Sequence, residues 1–363
     1  MNTKITIREY REGDEVSIMK LRGLALSGSK DMDWWVWQYK QNPAGQAIIV
    51  VAEIEGRKEN GYRIVGHQGA YPLRIKIEND VHLTVQAIDA MVHPDYRGLG
   101  IFNKVRRMTN EIQRRNNIKF GYHFPNEITA SAGIRAGAQV VFKKTPLWIK
   151  LLHPENLTTK YIKNNRVLVN LASIAIKGLV KLTDRQGSYQ MRTQIKEIEE
   201  VDERFDDLWQ KASHLHKVML VRDRAYLDWR YIKKPDANYT IFISENKGQL
   251  LGYIVLRTIE DNGLRIGWIA DILTNSRDTP AAMDLLAKGT RYFNNINMDA
   301  VLCVMPPKGY IAPSLKKIGF FTIPRWRKMV YPICIRPYME EYPKSQLLNP
   351  NNWYLTRGDS DLI

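Results

Sequence analysis

The chain has 363 residues, an apolar share of 44% and a formal charge of +16; this suits two domains of roughly 150 residues and draws anions such as a phosphorylated cofactor, an acidic membrane surface or nucleic acid. Its two cysteines, Cys303 and Cys334, are too few for a disulfide framework and lack the paired spacing of a structural zinc site, so no metal is expected and a reducing cytoplasm fits best. No signal-peptide pattern and no run of about 18 apolar residues is present, and basic residues scattered without a zinc-finger or RNP signature argue against a nucleic-acid partner.

Ile5 to Ile7 predicts a first strand, and Gly13-Asp14 before Val16, Met19, Leu21 and Leu24 predicts a helix. Asp33 to Tyr39 reads as an aromatic helix closed by Asn42-Pro43, because proline cannot continue the hydrogen-bond ladder. Strands follow over Ala47 to Ile54, Ile64 to Ile77 and His82 to Val92, rich in Val and Ile. Gly100 to Arg115 places Ile101, Val105, Met108 and Ile112 at helical spacing; Lys119 to Phe124 is a short strand and Glu127 to Arg135 a short helix.

The second half repeats this order. Trp37-Gln38-Tyr39-Lys40-Gln41-Asn42-Pro43 is echoed by Trp229-Arg230-Tyr231-Ile232-Lys233-Lys234-Pro235, and Ile88-Asp89 corresponds to Ala270-Asp271. Between the copies, Val167 to Leu182 is an apolar helical stretch flanked by lysines and Arg166. Such a helix can lie on a membrane surface or, more ordinarily, pack between domains.

Val92 runs into Pro94, then Arg97-Gly98-Leu99-Gly100, then a helix from Ile101. This places free backbone N–H groups at a helix N-terminus, where glycines admit a diphosphate and Arg97, with Lys104, Arg106 and Arg107, adds positive charge. The second copy has Ile272 to Pro280 in the same place, without glycines and with a proline that lacks an N–H, so it is not expected to bind cofactor.

The segment Val92 to Ile101 resembles the acetyl-CoA loop of the GNAT N-acetyltransferase superfamily. That family's Gln/Arg-x-x-Gly-x-Gly/Ala pattern is carried by Arg97 and Gly100, with Phe102 in place of the last small residue. The resemblance implies an α/β (α+β) fold of two tandem GNAT-like domains, each a mixed, mostly antiparallel central sheet flanked by helices. It implies acetyl-CoA or another acyl-CoA as cosubstrate, held by Met91, Val92, Arg97, Gly98, Leu99, Gly100, Ile101, Phe102 and Asn126, with the thioester carbonyl polarised by a backbone N–H near Val92.

Acyl transfer to an amine needs a group that takes the amine's proton and one that assists the leaving thiolate. Asp89 is the leading candidate to orient or deprotonate the amine; its alternative is a solvated or hydrogen-bonded strand aspartate. Tyr122 and His123 are candidate proton shuttles on opposite faces of one strand, so at most one lines the site. The family's tyrosine acid, in the pattern Asn-x6-Tyr-x3-Gly from Asn126, is replaced by Gly133. Trp34 and Trp35 are candidates for the acceptor floor, whereas Trp37 and Tyr39 recur in the second copy and read as packing. His214 and His216 lack a third metal ligand nearby.

The domains expected are 1–153 (catalytic), 154–190 (linker), 191–334 (degenerate copy) and 335–363 (tail). The layout, including the tail Trp353-Tyr354-x-Thr356-x-Gly358-Asp359-Ser360-Asp361, is similar to bacterial GNAT-type enzymes of surface-polysaccharide biosynthesis. That implies an N-acetyltransferase acting on a small or carrier-linked amine such as an amino sugar, in the cytoplasm, with peripheral membrane contact as a further expectation. The rivals are a Fem-like aminoacyl transferase and a non-catalytic binding protein that keeps the fold.

Overall fold

The computed structural model describes residues 4–26, 28–54, 63–125, 127–153, 156, 178, 189–277, 280–322 and 332–361. The first half runs β1 (Ile5–Glu9), α1 (Glu15–Ala25), α2 (Met32–Lys40), β2 (Ile48–Ile54), β3 (Ile64–Ile77), β4 (Asp80–Val92), α3 (Ile101–Arg115), β5 (Phe120–His123), α4 (Glu127–Arg135), β6 (Gln139–Phe142) and β7 (Leu147–Leu151). The second runs β8 (Gln194–Ile198), α5 (Arg204–Ser213), β9 (Val218–Leu220), α6 (Arg224–Leu227), β10 (Thr240–Asn246), β11 (Gln249–Asp261), β12 (Leu264–Thr274), α7 (Ala281–Asn295), β13 (Ala300–Val304), α8 (Ala312–Lys317), β14 (Phe321–Thr322), β15 (Ile333–Pro337) and α9 (Lys344–Leu348). The Val167 to Leu182 segment lies outside the described residues apart from Gly178.

Two mixed sheets result, as the sequence implied. One has the order β1-β2-β3-β4-β5-β15-β6, with β9 on β3; the other has the order β14-β7-β13-β12-β11-β10-β8. Laid side by side, β15 of the second half fills the place in the first sheet that β7 of the first half fills in the second. The strands therefore divide differently from the boundaries drawn at 153 and 334. Leu147–Leu151 pairs with Ala300–Val304, and Ile333–Pro337 pairs with both Phe120–His123 and Gln139–Phe142. A strand exchanged this way satisfies its hydrogen bonds only in the other sheet, which ties the two halves into one folding unit.

Local sequence explains the elements around the site. Asp31 caps α2, its carboxylate accepting from the Trp34 N–H at 2.8 Å. Alternation along β2 sends Val50, Ala52 and Ile54 toward α3, and Ile49 and Val51 into the large core that both sheets share.

Residues 353–361 are built into the structure. Trp353, Tyr354 and Leu355 are buried, and the Tyr354 hydroxyl donates to the carbonyl of Ile272 in β12. Arg222 donates to Asp359 at 2.9 Å and to Asp271 at 3.0 Å. Gly358 sits so close to the Tyr231 hydroxyl that no Cβ would fit there. The tail thus packs against β12 of the second copy, beside Asp271, the counterpart of Asp89. Among the described residues no helix is long and apolar enough to cross a membrane.

Candidate active site

Strand β4 breaks its register at one point. It pairs regularly with β3 from Ile77↔Asp80 to Gly69↔Ile88, then slips so that His67 faces Met91. Asp89 lies at the slip with φ +48°, a left-handed conformation that aspartate tolerates better than most residues. The fully buried His67 holds it there, Nδ1–H donating to the Asp89 carbonyl at 2.8 Å. The Asp89 carboxylate accepts from the Tyr39 hydroxyl at 2.9 Å and pairs with Arg22 Nε at 3.4 Å. Burial, and next the Asp89 charge, push the Tyr39 phenol well above its ordinary value. It therefore stays a donor.

Past this point β4 and β5 separate; Val85↔Gly121 is their one parallel register pair. His123, at the end of β5, accepts the Ala87 N–H on its Nδ1 at 3.3 Å. Burial, and secondarily the charge of Arg336, lower its pKa to about 4. At neutral pH it is an uncharged ring whose hydrogen sits on Nε2. Tyr122, its neighbour, is fully buried, and its hydroxyl donates to the Asp359 carbonyl at 3.0 Å. The two do point to opposite faces. Only His123 reaches the cavity described below, which removes Tyr122 from the proton-transfer candidates.

Helix α3 begins at Gly100, φ +72°, with no side chain capping it. The N–H groups of Ile101, Phe102 and Asn103 thus have no intrahelical acceptor, and the helix dipole adds positive potential. A Cβ on Gly100 would meet nothing within 4 Å, so its positive φ calls for glycine while the space before the loop stays open. Arg97, Gly98 and Leu99 are exposed, and from the loop and the first turn of α3 it is Phe102 that lines the cavity described below. Phe102 is 38% exposed, with the Arg106 guanidinium 5.4 Å from its ring centre. Ile101 is buried under α3, Met91 belongs to the large core, and Val92 packs on the α3 side. Asn126 lies outside the described residues.

These elements open onto a cavity of about 750 Å³. Phe102 and Arg106 line it from the α3 face of the first sheet, Trp34, Gln38 and Arg22 from the α1 and α2 face, and Ala87 to Ala90 and His123 from the gap between β4 and β5. The cavity therefore passes through the sheet where the two strands part. Of the two tryptophans proposed for an acceptor floor, Trp34 lines it, with the Arg22 guanidinium 4.8 Å from its ring centre. Trp35 does not: it packs between Tyr10 at 5.7 Å and Tyr39 at 5.4 Å.

The far wall comes from the second copy and the tail: Arg230, Lys234, Asp236, Arg257 and Asp361. None of these was singled out from the sequence. Arg230 and Lys234 lie in the repeated Trp-x-Tyr-x3-Pro segment, whose echo was the available signal, but it spoke for packing. Asp361 closes the tail pattern, but nothing in that pattern tied it to the site. Lys234 is buried beside Arg230, Lys30 and Arg257, and burial first, then those charges, lower its ammonium to about 6. Asp361 lines the cavity and is exposed there; desolvation of its carboxyl by the surrounding protein raises it to about 6, with Arg230 opposing the rise and Asp89 adding to it. Among the described residues, no cluster of three or more His, Cys, Asp or Glu is placed to hold a metal ion.

Residues 6–134 match the family model for the acetyltransferase (GNAT) domain. No curated protein sequence matches the chain. Solved structures with a similar fold include a GCN5-related N-acetyltransferase from Anabaena variabilis (TM-score 0.65, 12% identity, covering 93% of this chain and 73% of that one). A conserved protein of unknown function from Enterococcus faecalis, described as a probable N-acyltransferase, gives TM-score 0.64 at 11% identity, over 93% of this chain and 73% of that one. The N-myristoyltransferase of Saccharomyces cerevisiae with bound myristoyl-CoA gives TM-score 0.60 at 9% identity, over 100% of this chain and 86% of that one. At these identities the likeness is one of fold.

Proposed function

We propose that the protein, whose residues 6–134 match the acetyltransferase (GNAT) domain model, is an acyl-CoA-dependent N-acyltransferase that uses acetyl-CoA and acts on a primary amine. The observation that carries this reading is a convergence. The uncapped start of α3, the bulge of β4 and the open end of β5 meet at one cavity that crosses the sheet.

In this reading the N–H groups at the start of α3, with Arg97, hold the cosubstrate's diphosphate. Acyl-CoA supplies the electrophilic thioester carbonyl. Asp89, fixed by Arg22 and Tyr39, positions the amine. Asp361, with its carboxyl raised to about 6, accepts the proton that the amine loses as its nitrogen bonds to the acyl carbon and the carbon–sulfur bond breaks. The Nε2–H of His123 offers a hydrogen bond to the departing sulfur, in the role that the missing tyrosine at Gly133 does not fill. The acceptor is read as an amino sugar on a nucleotide or lipid carrier, as in surface-polysaccharide biosynthesis; the basic cavity wall and the tail pattern support this.

Calorimetry with acetyl-CoA tests the reading, followed by a mass-spectrometric screen of amines. Micromolar binding that is lost in the Arg97→Glu/Gly100→Glu double variant is expected. Absence of binding to the wild type, or equal binding by the variant, would sink the proposal. A series of longer acyl-CoA chains tests the choice of acetyl.

A further inference from the structure

The cavity is markedly basic: seven arginines and lysines line it against the carboxylates of Asp89, Asp236 and Asp361. At one end the second copy and the tail contribute Arg230, Lys234 and Arg257 against Asp236 and Asp361, and Lys30 reaches the same wall. Asp236 is shared by Lys30 and Lys234, Asp361 lies in the field of Arg230, and Asp89 is held by Arg22 and Tyr39. Arg230 is 3% exposed, Gln38 5% and Gln68 6%. All three line the cavity, yet Arg230 Nε, Gln38 Nε2 and Gln68 Oε1 have no hydrogen-bond partner among the described residues. The Arg230 guanidinium also donates to the Ser360 carbonyl, but a buried donor left without an acceptor is costly, and a cavity surplus of one sign concentrates ions of the other.

We propose that this end of the cavity is a binding site for an anionic group, phosphate or carboxylate, carried by the acceptor, with Arg230 and Arg257 as its cations and Gln38 as a neutral donor. As a statement about the acceptor this rests on the acyltransferase reading; as a statement about an anion site it does not. Lys234 follows from the same arrangement. An anion beside it offsets the repulsion from Arg230, Lys30 and Arg257 that helps hold its ammonium near 6, so anion binding near pH 7 draws a proton onto the protein.

The test titrates inorganic phosphate, and separately acetate, into the full chain by calorimetry in buffers of different ionisation enthalpy. Expected are saturable binding of at least one of them, proton uptake near pH 7 that is smaller in Lys234→Met, the rest falling to Asp361, and at least a tenfold loss of affinity in Arg230→Gln/Arg257→Gln. In Arg97→Glu/Gly100→Glu the binding that Arg230→Gln/Arg257→Gln removes should persist, and any phosphate held by the α3 loop itself should be lost. Arg257 is only half-buried, so Arg257→Gln alone, checked for an unchanged melting temperature, keeps the test decisive if the double variant unfolds. Binding of neither anion, or binding lost with Arg97 and Gly100 but kept without Arg257, overturns the proposal. Acetyl-CoA binding is measured in parallel: its absence would sink the acyltransferase reading while leaving the anion result standing. Phosphorylated, carboxylated and neutral amines as acceptors then show which anion is used, the favoured class losing at least tenfold in kcat/KM in Arg257→Gln.

Discussion

Trp37 and Trp229 stack face to face, ring centres 4.8 Å apart and planes 12° from parallel, and each indole N–H donates to the other residue's carbonyl, at 2.7 Å and 3.0 Å. These are corresponding residues of the two copies, so the pair sits where the pseudo-symmetric halves meet.

Removing one half of that exchange has a predictable cost. Trp37→Phe keeps the ring but leaves the Trp229 carbonyl buried without its donor, a loss of about 1–3 kcal/mol. Denaturant unfolding should show it, and Trp229→Phe should lose a similar amount. A loss confined to one of the two would contradict the reciprocal arrangement.

The proposed base predicts the sign of the pH dependence. Asp361 must be ionised to take the amine's proton, and its carboxyl is raised to about 6, so kcat should climb between pH 5 and 7 and level off above. Asp361→Asn should lower kcat at least tenfold and remove the inflection. His123 is held at about 4, so His123→Gln should leave the inflection where it is. Lys234 titrates in the same range but acts on acceptor binding, so its influence should appear in KM. The folded chain holds the Asp361 proton more tightly than the unfolded one, so this group's stabilising share falls as pH rises from about 4 to about 6, a slope absent in Asp361→Asn.

Asp89 combines a charge with an uncommon backbone conformation, φ +48°, and two substitutions separate them. Asparagine accepts the left-handed region, so Asp89→Asn should lose only the charge opposite Arg22 and no backbone stability, while kcat drops as the amine loses its positioning carboxylate. Valine does not, and Asp89→Val should cost a further 1–3 kcal/mol or so in strain. Melting curves read one effect and steady-state kinetics the other. Equal stability for the two variants would argue against strain at the bulge.

Arg222 is 1% exposed and sits between the carboxylates of Asp271 and Asp359. Arg222→Met leaves both acids buried without a cation, a loss of about 3–5 kcal/mol. Uncompensated buried carboxylates take up protons, so the deficit should be smaller at pH 5 than at pH 8. A deficit independent of pH would mean that the arginine acts through packing alone.

The sequence by itself determined the features that depend on neighbours in the chain. Glycine at Gly98 and Gly100 before a helix, alternation along the strands, and the echo of Trp37-x-Tyr39 in Trp229-x-Tyr231 are local patterns with local causes, and they sufficed for two copies of one fold and for the loop. Alternation also foretold that Tyr122 and His123 face opposite ways, without saying which way the cavity lies. Only the tertiary structure decided the exchange of β7 and β15 between sheets, the seating of the tail against β12, and the basic wall formed by Arg230, Lys234 and Arg257. The contacts concerned join residues far apart in the chain: 192 positions separate Trp37 from Trp229 and 237 separate Tyr122 from Asp359. Such pairings leave no periodicity to read, because what selects them is the burial of shared surface and the satisfaction of polar groups after the halves have come together.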